Sequence, residues 1–150
     1  STDIDDFLQF VPAILMLTLT FSKYKGDMEN KEFAIFLLIA TAVTQLTVYT
    51  LKIYIGELRP DNSDSLSFPS GHSATAFMIA TMLHLQYGKR GVFYTIFGYS
   101  CATAVALMRI LNNRHWLFDT IIGAALGILL TYWAYRITKR LFYLKYKGEN

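Results

Sequence analysis

The sequence predicts an all-α fold, a polytopic transmembrane helix bundle of about five spans, and three observations carry that prediction. The chain is 53% hydrophobic and only 17% charged, with 10 Tyr, 11 Phe and 2 Trp. Its charges are also unevenly spread. Windows without Asp, Glu, Lys or Arg run over Phe7–Ser22, Phe33–Leu51, Ser65–Gly88, Val92–Met108 and Thr120–Tyr135, each approaching the roughly 20 residues that cross a bilayer core. Third, taking these windows as spans puts Lys23, Lys25, Lys31, Lys89, Arg90, Arg136, Lys139, Arg140, Lys145 and Lys147 on one side. Only Lys52, Arg59, Arg109 and Arg114 lie on the other, beside Asp3, Asp5 and Asp6. An inserted protein keeps its basic loops cytoplasmic, so this bias places the second group outside. A mean hydropathy of +0.32 is modest and leaves a soluble bundle of buried helices as the competing architecture. With 150 residues the chain fits a single domain, 1–150. It is too apolar for a disordered or nucleic-acid-binding chain despite a pI near 9.0.

Each element has its own signals. Asp5 or Asp6 is a natural N-cap for the first span, and Pro12 should kink that span or mark its start. The loop from Lys23 to Glu32, around Gly26, reads as a solvated turn. The second span, Phe33 to Ile55, leads through Lys52 to Arg59 and Pro60, and Lys52 and Arg59 share a face if the helix persists past Gly56; Pro60 then ends the element. Such a pair serves either to hold an anion or to snorkel to lipid phosphates. The polar loop Asp61–Ser67 leads into Phe68-Pro69-Ser70-Gly71-His72-Ser73. Ser70 is an N-cap, Gly71 admits a close backbone approach, and the free N–H groups of the helix start form an anion site. His72, on the first turn, is within reach to pass a proton, although a plain helix cap has the same pattern. Ala76/Ala80, Gly98/Ala102 and Gly123/Gly127 are small residues four apart, suited to close packing within the chain. Trp116, Tyr132, Trp133 and Tyr135 suit interfacial anchoring, and His84 reads as structural.

The stretch Arg109-Ile-Leu-Asn-Asn-Arg-His-Trp-Leu-Phe-Asp119 gathers three chemically active groups. On a helix, His115 and Asp119 would stack on one face, so that the carboxylate orients one imidazole nitrogen and leaves the other as nucleophile or base. Asn112-Asn113 reads as a turn returning Arg109 toward the imidazole. The alternative is a capped helix start with an incidental His/Asp pair.

Together these residues resemble the type 2 phosphatidic acid phosphatase superfamily, whose signature has three parts. Lys, six residues, Arg-Pro matches Lys52 to Pro60; Pro-Ser-Gly-His matches Pro69 to His72; Ser-Arg, five residues, His, three residues, Asp matches at Arg109, His115 and Asp119, with Met108 in place of the Ser. The resemblance implies that His115 attacks phosphorus to give a phosphohistidine, that Asp119 orients it and that His72 protonates the leaving alcohol. It further implies that Lys52, Arg59, Ser70, Gly71 and Arg109 bind phosphate, with no metal and no cofactor. The Met108 departure bears only on a minor phosphate contact. That cation set agrees with the elementary chemistry, because phosphoryl transfer depends mostly on positioning and charge stabilisation.

The expected activity is therefore a membrane lipid phosphatase at the extracytoplasmic ends of the helices. The expected site is a bacterial inner membrane, facing the periplasm or cell exterior. The expected substrate is a membrane phospholipid or lipid A-type molecule, such as lipid A, phosphatidic acid or phosphatidylglycerol phosphate; the chain is expected to act as a monomer without nucleic acid. Asp5-Asp6-Phe-Leu-Gln and Asn113-Arg-His-Trp resemble bacterial members, some of them lipid A phosphatases. Undecaprenyl diphosphate is the alternative substrate, a soluble acid phosphatase or haloperoxidase relative the alternative enzyme, and a catalytically idle phospholipid binder the alternative class. The family often has six spans; the sixth would precede residue 1.

Overall fold

A computed structural model describes residues 4–22 and 24–148; Asp3 and Lys23 lie outside the described residues. Six α-helices follow in order: α1 (Ile4–Leu8), α2 (Val11–Phe21), α3 (Asn30–Ile55), α4 (Gly71–Tyr87), α5 (Val92–Leu111) and α6 (Leu117–Gly148), with one 3₁₀ turn at Gly88–Arg90. Four stretches are long and apolar enough to cross a membrane: Ile4–Phe21, Asn30–Ile55, Val92–Leu111 and Leu117–Lys145. The protein is thus a transmembrane helix bundle. At 1.5 Å per residue α3 and α6 extend about 39 and 48 Å, more than the roughly 30 Å hydrocarbon core.

The fifth expected span is α4, and it is the hub rather than another wall. It packs mainly against α5 and α6 and also against α3, and eleven of its 17 residues are buried. A helix apolar on all sides belongs in the interior, and its one mid-helix polar group, the Thr81 hydroxyl, is held by the Phe77 carbonyl and Tyr99 Oη. The outer helices instead turn large apolar side chains outward, among them Phe7, Ile14, Leu38, Leu46, Ile96, Leu107 and Leu129, as a lipid-facing surface requires.

Lipid tails are as apolar as leucine, so these helices are held together by close packing rather than by exclusion of water. The small-residue pairs supply it within the chain, as expected. A Cβ on Gly98 would come within 3.2 Å of the Ala80 Cα, one on Gly123 within 2.5 Å of the Ser70 carbonyl, and one on Gly127 would overlap the Ala74 carbonyl. The Gly123 contact matters most here, because it presses the start of α6 against the start of α4.

Two sequence expectations change at the helix ends. Pro12 marks a start, not a kink: α1 stops at Leu8, and Pro12 opens α2. At the other break, α3 does not persist to Pro60. Gly56 takes the left-handed conformation (φ 62°) and donates its N–H to the Lys52 carbonyl, a glycine C-cap that ends the helix four residues earlier. The Lys23–Glu32 turn departs further from expectation. Met28 is buried, and the Gln86 side chain bonds both its N–H and its carbonyl at 3.0 Å.

Candidate active site

Three segments meet at one end of the bundle: α1, the loop from Gly56 to Ser70, and the α5–α6 turn around His115. Ser70 caps α4 as expected, its Oγ accepting the Ser73 N–H at 3.3 Å, while its own N–H donates to the Asp119 carbonyl at 3.0 Å. This ties the second part of the motif to the third. Gly71 is the first residue of α4, and a Cβ there would meet Lys52 Cε at 3.7 Å, so the first part of the motif lies directly alongside.

The turn after α5 forms as its asparagines suggest. Asn113 adopts φ 52°, a left-handed conformation Asn tolerates, and the Arg109 carbonyl accepts the N–H of Arg114 at 3.0 Å and that of His115 at 3.3 Å. His115 is therefore not on a helix, since α6 begins at Leu117. Its Nδ1 lies 3.6 Å from Asp119 Oδ2, with both side chains buried. The expected pair is adjacent but not hydrogen-bonded, for a physical reason. Oδ2 already accepts the Trp116 N–H at 3.0 Å and the Ser67 hydroxyl, the former being the backward reach of an N3 carboxylate to an N-cap amide. Asp119 thus both caps α6 and flanks His115, so the two readings of this spacing are not exclusive.

The cations come together without forming one helix face. Lys52 Nζ donates to the carbonyls of Leu66 (2.6 Å) and Ser67 (3.4 Å). Arg59, in the loop beyond Gly56, donates to Asp64 Oδ1 at 2.7 Å and to the Arg114 carbonyl at 3.2 Å. Arg109 is buried and donates to Asp5 Oδ2 at 2.7 Å. Burial first, then the charges of Lys52, Arg59 and Arg109, push the His115 imidazole down to about 3; it is neutral, with a lone pair to use, across the physiological range. The Glu57 carboxyl is pushed up, by burial and then by the charge of Asp119.

Among the described residues, Arg109 Nε, His115 Nδ1 and Asp119 Oδ1 are buried with no hydrogen-bond partner. Orphaned polar atoms are rare and costly in a finished interior; the Arg109 Nε–H is a free donor, and with the charges of Lys52 and Arg59 beside His115 it suits an oxyanion. A largely apolar cavity of about 620 Å³ adjoins this cradle, lined by Phe10, Ala13, Met16 and Leu17 from α2 and its approach, Leu37 from α3, and Gly71, His72, Met78 and Ile79 from α4.

Two residues missed in the sequence are Asp5 and Asp6. The expectation that one of them is the N-cap of the first span does not hold: both lie inside the first turn of α1, with Asp5 on Arg109 and Asp6 Oδ1 2.7 Å from His72 Nε2. The available signal was two carboxylates at the mouth of an apolar segment, on the same side as four cations. Ser67, the donor to Asp119, carried no signal. Arg114 turns away to Asp61 (3.4 Å), His84 bonds Thr95 Oγ1 at 2.8 Å, as a structural residue would, and Tyr135 serves the opposite end of the bundle, donating to Asp27, instead of anchoring an interface.

Comparison with known proteins identifies the family and the fold. The chain is 40% identical over 144 residues, 94% of its length, to a protein named lipid A 1-phosphatase from Porphyromonas gingivalis, and spans about a third (32%) of that relative. Its fold matches the crystal structure of Aquifex aeolicus LpxE with a TM-score of 0.68 at 22% identity, covering 91% of this chain and 87% of that one. The family model described as the PAP2 superfamily matches residues 62–143, which include the second and third parts of the motif; the chain belongs to the PAP2 superfamily.

Proposed function

We propose that this protein is a membrane lipid phosphatase that transfers the phosphate of a lipid headgroup to His115 and then to water, and that lipid A 1-phosphate is the foremost substrate to test. The observation that carries the reading is the cradle itself: Lys52, Arg59 and Arg109 around a neutral, buried His115. In the first step the His115 lone pair attacks phosphorus, the bond to the lipid oxygen breaks, and His72 gives that oxygen a proton. In the second, water attacks the phosphohistidine, the P–N bond breaks, and His72 takes up the proton. Asp119 stabilises the imidazole as charge develops on it; Ser70 and the Gly71 N–H, at the start of α4, add donors for the phosphate oxygens.

The apolar cavity favours a lipid over a soluble phosphate ester, because its wall continues from His72 down between α2 and α3, where an acyl chain would lie. Lipid A rests on the named relative; phosphatidic acid, phosphatidylglycerol phosphate and undecaprenyl diphosphate offer the same cradle a phosphate. Phosphate release from a panel of these four by purified protein tests the choice. Preference for lipid A supports it, and faster turnover of any other lipid reassigns the substrate. The loop-charge bias supports a site outside the cytoplasm. A cysteine at Ser63 in a Cys101→Ala background should then react with an impermeant thiol reagent in intact cells, while one at Lys89 should not; the reverse pattern would end that assignment.

A further inference from the structure

We infer that Asp6 is a positioning residue for the acid His72: it holds Nε2–H of the imidazole, so that Nδ1 is the nitrogen that delivers the proton to the leaving oxygen. This rests on the phosphatase reading above. The geometry comes from the break at Gln9–Phe10, which lets the five-residue α1 lean on α5 and carry two consecutive carboxylates into the site. Asp5 and Asp6 diverge by about 100° around the helix, and each meets a different group.

Their environments separate their roles. The Asp5 side chain is 2% exposed and makes the short ion pair with Arg109 at 2.7 Å; this buried pair is needed for folding, since either ion alone would be uncompensated. Asp6 is 49% exposed and lies 3.5 Å from Arg109 but 2.7 Å from His72. Folding does not demand that bond, because Asp5 already neutralises Arg109 and water would solvate Asp6. The charged groups facing His72 are Asp5 and Asp6 from α1 and Arg109 from α5. The Arg109 cation disfavours an imidazolium, and Asp6 is the anion in direct contact that offsets it. In the step assigned, the Nδ1–H bond breaks as the alcohol O–H forms. His72 is left neutral with Nε2–H still on Asp6, ready to take a proton from water at Nδ1.

The test uses full-length Asp6→Asn, Asp6→Glu, His72→Ala, His115→Ala and the double variant Asp6→Asn/His72→Ala, each assayed on a lipid phosphate and on an aryl phosphate that needs no protonation of its leaving group. Asp6→Asn should lower kcat on the lipid by about 10-fold or more, a part of the roughly 10²–10⁴ that general acid catalysis contributes in full, and by less on the aryl ester. It should also move the alkaline limb of the lipid pH profile to lower pH, because loss of the anion makes His72 release its proton more readily. Asp6→Glu should recover part of the loss. On the His72→Ala background, Asp6→Asn should add less than about twofold. Equal losses on both substrates, an unmoved alkaline limb, or a full additional loss in the double variant would overturn the assignment. Unchanged thermal unfolding in detergent identifies the folded variants, and Asp6→Glu carries the test if Asp6→Asn unfolds. Turnover surviving in His115→Ala would instead remove the phosphatase reading itself, whatever Asp6 does.

Discussion

The two ends of this bundle handle buried charge in opposite ways. At the end away from His115, Asp27 is surrounded by Lys89 at 2.8 Å, Lys139 at 3.2 Å and the Tyr135 hydroxyl at 2.7 Å. Lys139 also reaches Glu32 at 3.2 Å, and the Asp27 N–H donates to the Gln86 carbonyl at 2.8 Å. Burial alone would raise the Asp27 carboxyl; the hydrogen bonds from Lys89, Tyr135 and Lys139, with the Lys139 charge, overcome it and bring it down to about 2. There the ions satisfy one another and lock α4, α6 and the α2–α3 turn together. At the His115 end, Arg59 and Arg109 are paired with Asp64 and Asp5, Lys52 is held by backbone carbonyls alone, and Arg109 Nε, His115 Nδ1 and Asp119 Oδ1 have no hydrogen-bond partner among the described residues. A closed network contributes stability, whereas an open one reserves its interactions for a ligand.

This contrast gives a graded set of expected outcomes. The largest is His115→Ala, which should remove turnover and any acid-labile phosphoenzyme, a loss on the order of 10⁴-fold or more, while thermal unfolding in detergent is unchanged or raised, since an unsatisfied buried group is deleted. Residual phosphoenzyme measured by rapid quench would break the contrast at its centre. Next is Gly127→Leu, at the seam both ends share, where any side chain meets the Ala74 carbonyl. Overpacking there should cost about 1–3 kcal/mol, read as a lower unfolding temperature, and should reduce activity too, because the neighbouring contact of Gly123 with Ser70 is displaced with it.

Asp27→Asn should do the converse of His115→Ala: stability falls by roughly 2 kcal/mol while kcat is retained. The pH dependence has a definite sign. A carboxylate whose folded value is depressed contributes stability that is complete above its unfolded value and lost as pH falls through the folded one. The wild type should therefore lose stability between about pH 4 and pH 2, a loss that Asp27→Asn lacks. Unfolding temperatures across that range, for both proteins, check it. The smallest effect is expected for Lys89→Ala, whose side chain is 81% exposed and whose ion pair is correspondingly screened: less than about 0.5 kcal/mol. A larger cost would show that the Asp27 network is more cooperative than its separate contacts.

Much of this site was legible in the chain because its parts are local. Lys52 to Pro60, Pro69 to His72 and Arg109 to Asp119 each carry their own spacing, and Ser70 and Asn112-Asn113 state their cap and turn through chemistry that acts over a few residues. The long helices were readable for the same reason, since charge-free length is a property of a segment, whereas the break that divides the first span into α1 and α2 was not. Gly56 was legible in principle as a C-cap, but Pro60 gave a competing stop signal for the same helix. The loop around Gly26 was misread because a charged turn with glycine has the composition of a solvated one; only Gln86, from α4, holds it against the bundle and buries Met28.

The sequence by itself therefore determined where the long apolar segments lie and which residues are the candidates for a nucleophile, an acid and a set of cations. Tertiary structure alone decided the partners. That Asp119 spends Oδ2 on Ser67 and Trp116 and lies 3.6 Å from His115, and that Asp5 and Asp6 serve Arg109 and His72 from 104 and 66 residues away, depends on how α1, α4 and α5 pack. Helix periodicity and capping are set by neighbours along the chain, but electrostatic pairing depends on distance in space, which no local pattern encodes.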